Sequence, residues 1–245
     1  MYRKIVFLCL SFITLQLSAQ YVEIPTQGVD LSKLNLEQFK FGVKITPSIS
    51  WLGVKHNDAE ADGATMKFGL GVSAEYEINP ILYVVSGINY NAFGGYIFDS
   101  LSLDPTTTTK NNYRASYSQI EIPLGLKLQT PETNNMSYYL QGGVTTGFIL
   151  SAKEKFKSTI ANTTVPSVDI LPLTSPSMIG CFAGVGAKYK ISENLKFFGE
   201  ITYKTALSSV AMGNNYETDR HRGFYEPIEI YPACMDFSIG IQFYY

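Results

Sequence analysis

The sequence predicts an all-β fold: a single closed antiparallel transmembrane β-barrel of about eight strands, with short periplasmic turns and long external loops. Three observations predict it. Long segments alternate apolar and polar residues with a period of two, which is the pattern of a strand lying between two unlike environments. Charged residues make up only 16% of the 245 residues while aromatics reach 13%; a soluble domain carries about 25% charge. The connectors between the alternating segments are in turn short and long, as in outer-membrane barrels.

The pattern is clearest from Tyr117 to Thr130. Ile120, Ile122, Leu124, Leu126 and Leu128 fall on one face, and Gln119, Glu121, Pro123, Gly125 and Lys127 on the other. Proline has no ladder donor, so Pro123 predicts a bulge or bend in mid-strand.

The chain divides into three parts. In residues 1–19, Arg3 and Lys4 precede an apolar run from Ile5 to Leu17, and Ser18-Ala19-Gln20 follows. That is the layout of a signal peptide cleaved after Ala19, and no Cys stands at the cleavage site to take a lipid. The run falls short of the roughly 20 apolar residues that span a bilayer. Residues 20–38 lack strong periodicity and read as a periplasmic lead-in. Residues 39–245 form the barrel.

Eight strands follow in order. The first, Phe39 to Trp51, has Phe39, Phe41, Val43, Ile45, Ile49 and Trp51 on one side. After a polar loop from His56 to Gly63 comes Met66 to Ile78, and the turn signal Asn79-Pro80 leads into Ile81 to Tyr90. A loop from Gly94 to Tyr113 precedes the fourth strand, Tyr117 to Thr130. Met136 to Leu150 is the fifth and Met178 to Ile191 the sixth, with a polar excursion from Ser151 to Pro176 between them. Leu195 to Leu207 is the seventh, and Ala233 to Tyr245 closes the chain after a loop from Ser208 to Tyr231. Both termini therefore fall on the side of the short turns.

A soluble barrel would turn its apolar face inward and present a densely charged face to water. Here the polar face is mostly Gly, Ser and Thr with scattered Lys and Glu. That suits the interior of a barrel of about eight strands, which is just wide enough for packed side chains. Tyr and Trp gather near segment ends (Trp51, Tyr76, Tyr90, Tyr138, Tyr189, Tyr203, Tyr231), as interfacial belts do. In hydrocarbon every backbone polar group must be paired, so the sheet has to close.

The last strand carries an outward row of Phe237, Ile239, Ile241, Phe243 and Tyr245. It looks like the carboxy-terminal signal read by the barrel insertion machinery. Together with Ile120-Glu121-Ile122-Pro123-Leu124 and the Ala19-Gln20 site, this row resembles the PorT-like outer-membrane β-barrel family common in Bacteroidetes. The resemblance covers roughly residues 39–245. It implies location in the cell outer membrane and leaves the activity unassigned, since one class of the family serves a gliding-associated secretion system and most members have no assigned task.

Twelve charges fall on the polar face: Lys40, Lys44, Lys67, Glu75, Glu77, Glu121, Lys127, Lys188, Lys196, Glu200, Lys204 and Asp236. An isolated charge there is costly, so opposite signs should pair. One reading is a network that plugs the lumen; the other is an ion path or narrow porin-like channel for small solutes. Cys181 and Cys234 lie on non-adjacent strands and read as apolar fillers. Asp219-Arg220-His221-Arg222 is the densest charged cluster. Arg220, His221 and Arg222 are candidates for loop contacts to anions, because Arg geometry matches phosphate.

A rim enzyme acting on outer-membrane lipid would need His221, oriented by Asp219, to activate Ser208 or Ser209; nothing in the spacing supports that geometry, and the expectation is no enzyme. The sequence shows no phosphate-cradling Gly loop, no zinc spacing and no basic excess for nucleic acid, with a net charge of −2. No cofactor is expected. The expected role is structural or interaction-based. Outer-membrane lipid is one expected partner, and the external loops could hold a protein or polysaccharide partner.

Overall fold

The computed structural model describes residues 38–55, 59–104, 107–158, 167–211 and 229–244. These form strands β1 (Phe39–Lys55), β2 (Ala59–Glu77), β3 (Leu82–Asp104), β4 (Thr107–Gln129), β5 (Met136–Ser158), β6 (Val168–Asp169), β7 (Ser177–Ser192), β8 (Leu195–Ala206) and β9 (Glu229–Tyr244). The sheet order is β4-β3-β2-β1-β9-β8-β7-β5, all pairs antiparallel, and β4 pairs with β5 to close the ring. The two-residue β6 adds to β5 beside the ring, so the barrel itself has eight strands.

The outer wall is apolar. Phe41, Val43, Ile45, Phe68, Leu70, Val72, Ile122, Leu124, Leu126, Leu140, Val144, Ile201 and Ile239 are all exposed. The positions that alternate with them are buried or half-buried, and most are polar or glycine. A closed ladder leaves no edge unpaired, which is what lets such a wall sit in hydrocarbon. Aromatic residues mark both borders. Phe39 packs on Tyr76 with ring centroids 5.0 Å apart at one end, and Trp51 stacks on Tyr203 at 6.3 Å near the other.

The short turns are built from local chemistry. Asn79 Oδ1 accepts from the N–H of Ile81 and of Leu82, each at 2.9 Å, and so shapes the β2–β3 turn. Asn134 and Asn135 have φ of 52° and 63°, the left-handed pair that a tight hairpin asks for. β1 starts and β9 ends at the same rim as these turns, with Lys40 opposite Tyr244.

The structure corrects three sequence expectations. The segment from Gly94 to Tyr113 is mostly strand, since β3, β4 and β5 each run for 23 residues. A membrane crossing takes about 9–11 residues, so these strands continue well past the lipid. Polar composition hid them, because above the bilayer both faces of a strand can be hydrophilic. Similarly, β2 begins at Ala59 and β9 at Glu229, inside segments read as loops.

The second correction concerns Pro123. It stays in register with Thr145 on β5. On the other side, pairing with β3 lapses between Ser86↔Leu124 and Asn89↔Glu121 without any shift. The lost donor interrupts the ladder but needs no extra residue, and Ser86 Oγ donates to the Pro123 carbonyl at 3.0 Å. The bulge in this pair of strands lies higher: Gln119 faces Ile149 while Ser118 faces Ser151, which leaves Leu150 as the extra residue. Inward positions on β5 change there from Tyr139, Gln141 and Ile149 to Ala152 and Glu154.

The third correction is the upper lumen, which is apolar instead of hydrophilic. Leu52, Phe93, Ile97, Tyr113, Ala115, Tyr117, Ile149, Met178 and Ile230 form one buried cluster, joined by Ile170 and Val210 from the connections. The β3–β4 hairpin leans inward to make it. Ser50 on β1, two strands away, donates to the Gly94 carbonyl at 2.7 Å and accepts from its N–H at 2.8 Å. A Cβ on Gly95 would lie 2.9 Å from Leu52 N, so only glycine allows this approach.

Candidate functional site

The polar part of the lumen is organised in three tiers. Nearest the periplasmic turns, Lys40 pairs with Glu77 at 2.5 Å and lies 4.4 Å from the centre of the Tyr83 ring and 4.9 Å from that of Tyr244. Beside it, Glu75 is shared by two lysines. Lys188 donates to it at 2.7 Å and Lys127 donates to its other oxygen. All three side chains are at most 5% exposed. Lys127 also sits 4.0 Å above the Tyr139 ring.

In the middle tier, Glu200 accepts from Lys44 at 2.8 Å and from Tyr139 Oη and Gln141 Nε2 at 3.0 Å each. In the upper tier, Lys204 bridges Glu121 at 2.6 Å and Asp236 at 3.0 Å. Gln119, Asn89 and Asn91 donate further bonds to Glu121. A buried carboxylate needs this saturation, because the cost of desolvating an ion is recovered only when its lone pairs are filled.

The structure places ten of the twelve sequence-derived charges in these tiers. The other two sit at the rims. Lys196 pairs with Glu132 at 2.7 Å at the periplasmic turns, and Lys67 donates to Ser116 Oγ at 2.8 Å near the external border. Outside the membrane span, the Lys196 hydrogen bond holds the Glu132 carboxyl below the usual glutamate range. His56, Arg220, His221 and Arg222 lie outside the described residues. Ser208 and Ser209 are seen, and both hydroxyls are engaged. Ser208 Oγ accepts from Ile179 N at 2.9 Å, and Ser209 Oγ accepts from Ala211 N at 3.1 Å and Ile230 N at 3.0 Å. Cys181 and Cys234 are free. They sit on opposite faces of the wall, on β7 and β9 with β8 between. Among the described residues no group of His, Cys, Asp or Glu is placed to hold a metal.

Sequence reasoning missed the inward aromatics. Tyr83, Tyr139, Phe182 and Phe198 are buried, and inward glycines make room for them. A Cβ on Gly240 would lie 2.5 Å from Phe198 Cζ, one on Gly125 2.8 Å from Phe182 Cζ, and one on Gly186 2.5 Å from Tyr139 Oη. The signal was strand parity: Tyr139 falls between outward Tyr138 and Leu140, at a lumen position.

Little free space remains. A cavity of about 50 Å³ lies among Lys44, Glu75, Lys127, Glu200 and Thr202. A second, of about 30 Å³, lies above it beside Gln119 and Cys234. Both are bordered by Glu121, Lys204 and Asp236, so the upper tier stands between them. Thr202 lines the first and Gln119 the second, and Thr202 Oγ1 and Gln119 Oε1 are buried without a hydrogen-bond partner among the described residues. Volumes of this size take a few waters, at about 10–15 Å³ each on this measure. A depression of about 800 Å³ lies on the lipid-facing wall around Ala187 and Gly199.

A closed eight-stranded cylinder with an apolar outer wall and a filled, ion-paired interior defines a transmembrane β-barrel protein. Residues 30–211 match the family described as outer membrane protein beta-barrel domain. The chain belongs to that family, and its place is the cell outer membrane. Among solved structures it is similar to OprG from Pseudomonas aeruginosa (12% identity, 84% of this chain and 95% of that one, TM-score 0.48). It is also similar to a major outer membrane protein from Thermus thermophilus (14%, 84% and 99%, TM-score 0.45) and to Neisserial surface protein A (12%, 84% and 97%, TM-score 0.44). No curated protein matches the sequence.

Proposed function

We propose that this protein is a non-conducting, non-catalytic outer-membrane barrel whose role is structural or interaction-based and is exercised at its external end. The observation that carries this is the double closure of the lumen. The Lys204–Glu121–Asp236 tier separates the two small cavities, and the apolar cluster under the β3–β4 hairpin fills the mouth above them. A solute would have to break buried ion pairs and unpack that cluster in one passage. The engaged hydroxyls of Ser208 and Ser209 count against the rim-enzyme reading.

The same reading includes export by a leader ending at Ala19, delivery to the barrel insertion machinery through the Phe237–Tyr245 row, and kinship with the PorT-like barrels on the Ile120–Leu124 motif. The long external strands offer the surface for a protein or polysaccharide partner. Planar-bilayer recording of the purified protein tests the central claim. The expected trace is flat; steady discrete conductance steps in wild type would overturn it.

A further inference from the structure

Above the apolar band on one side of the barrel stands a group of cations that the lumen network does not use. Arg114 on β4 and Lys155 on β5 are directly opposite each other, and one step lower Lys153 is opposite Ser116. Arg114, Lys153 and Lys155 are all exposed. Arg114 lies 5.5 Å from the centre of the Tyr96 ring and reaches Thr65 Oγ1 at 3.4 Å. Lys67 joins from below through Ser116 Oγ. None of the four makes an ion pair among the described residues. Asp169 is opposite Lys153 on β6, but its Oδ1 accepts from Leu171 N at 2.9 Å. Glu154 is turned inward and buried.

Two features show that this arrangement is built. Like charges directly opposed across strands are destabilising, and Arg114 faces Lys155 with neither in an ion pair among the described residues. The bulge at Leu150 also sets the direction of both lysines. Without the extra residue, the parity of Tyr139 to Ile149 would carry Lys153 and Lys155 into the lumen and Glu154 outward. Bulges re-aim side chains in this way.

The height fits a particular occupant. Leu150 is the last apolar outward residue of β5. At about 3.3 Å per residue on a strand tilted about 45°, Lys153 stands about 7 Å above it and Lys155 about 12 Å above it. The headgroup layer adds about 5–8 Å to the hydrocarbon on each side, so Lys153 stands at its outer edge and Lys155 just above it. We propose that Arg114, Lys153 and Lys155, with Lys67 below them, form a binding site for the phosphate groups of a phosphorylated glycolipid in the outer leaflet. The guanidinium supplies paired donors that match phosphate oxygens, and the two ammoniums add point charges on either side. The bound phosphate then neutralises the opposed Arg114–Lys155 pair. The site depends on the outer-membrane placement and is independent of whether the lumen conducts.

The test uses full-length mature protein in dodecyl maltoside, with bisphosphorylated lipid A as probe and its enzymatically dephosphorylated form as control. Native mass spectrometry reads the retained lipid. Combined Arg114→Gln, Lys153→Gln and Lys155→Gln should weaken binding of the phosphorylated probe on the order of tenfold to a hundredfold. It should leave the dephosphorylated form unaffected. Millimolar inorganic phosphate should compete only weakly, because it lacks the anchored chains.

The single variant Lys155→Gln supplies a second reading. It should raise the unfolding midpoint in plain detergent, where it relieves repulsion, and lower it when the phosphorylated probe is present. Equal retention of the phosphorylated probe by wild type and triple variant would overturn the proposal. So would an equal loss of the dephosphorylated form, or stronger binding of a soluble sulfated polysaccharide than of the glycolipid.

Discussion

Glu75→Gln isolates the feature on which the lower lumen depends. Glu75 is the common counter-ion of Lys127 and Lys188, and the three side chains are 5%, 4% and 1% exposed. Replacing it with the isosteric amide keeps the volume and leaves two buried ammoniums facing each other. Breaking a buried pair by removing one partner costs about 3–5 kcal/mol. The Tyr139 ring, 4.0 Å from Lys127, and the Tyr83 ring, 5.8 Å from Lys188, offset part of that. The expected loss is therefore near the lower end, about 3 kcal/mol. Lys188→Met should cost less than about 1.5 kcal/mol, because it leaves Glu75 neutralised by Lys127 and fills the same space. The double variant should lose less than the sum, since one ammonium has been removed together with the carboxylate. Equilibrium urea unfolding in vesicles measures all three, read by fluorescence of the single tryptophan, Trp51. If Glu75→Gln proves no worse than Lys188→Met, or if the two add without coupling, Glu75 is not the shared counter-ion and the tiered account of the lumen fails.

Three further outcomes follow from the packing and the rim. Gly186→Ala should cost about 1–3 kcal/mol by overpacking against Tyr139, while Gly199→Ala, whose Cβ meets nothing within 4 Å, should be nearly neutral; unfolding midpoints of the two variants compare them directly. Ser50→Ala removes both hydrogen bonds to the Gly94 peptide. It should cost about 1–3 kcal/mol and speed proteolytic cleavage of the β3–β4 hairpin, read by mass spectrometry of the fragments. Glu132 has a lowered folded-state pKa, so its pairing with Lys196 stabilises the fold above the ordinary glutamate range. That contribution fades as pH falls through the folded value. Glu132→Gln should flatten the acid side of the stability curve and leave the neutral side little changed, as unfolding midpoints across a pH series would show.

The sequence by itself determined the wall of this protein. A strand in hydrocarbon has two faces with incompatible solvents, so residues such as Ile120 to Leu128 must alternate, and the alternation is local enough to read directly. The same rule placed Lys127, Glu121 and Glu200 inside, because a charge on the lipid face is costly at mid-membrane. Asn79-Pro80 marked a short turn through its own backbone preferences.

Only the tertiary structure decided which charge meets which. Lys204 reaches Glu121 across 83 positions of chain and Lys188 reaches Glu75 across 113, and such distances are set by strand order and register. It also decided the bulge at Leu150 and the inward lean of the β3–β4 hairpin. Beyond the membrane neither face of a strand is obliged to be greasy, so the alternation that spells out the wall stops, and the external end takes its form from packing between distant strands.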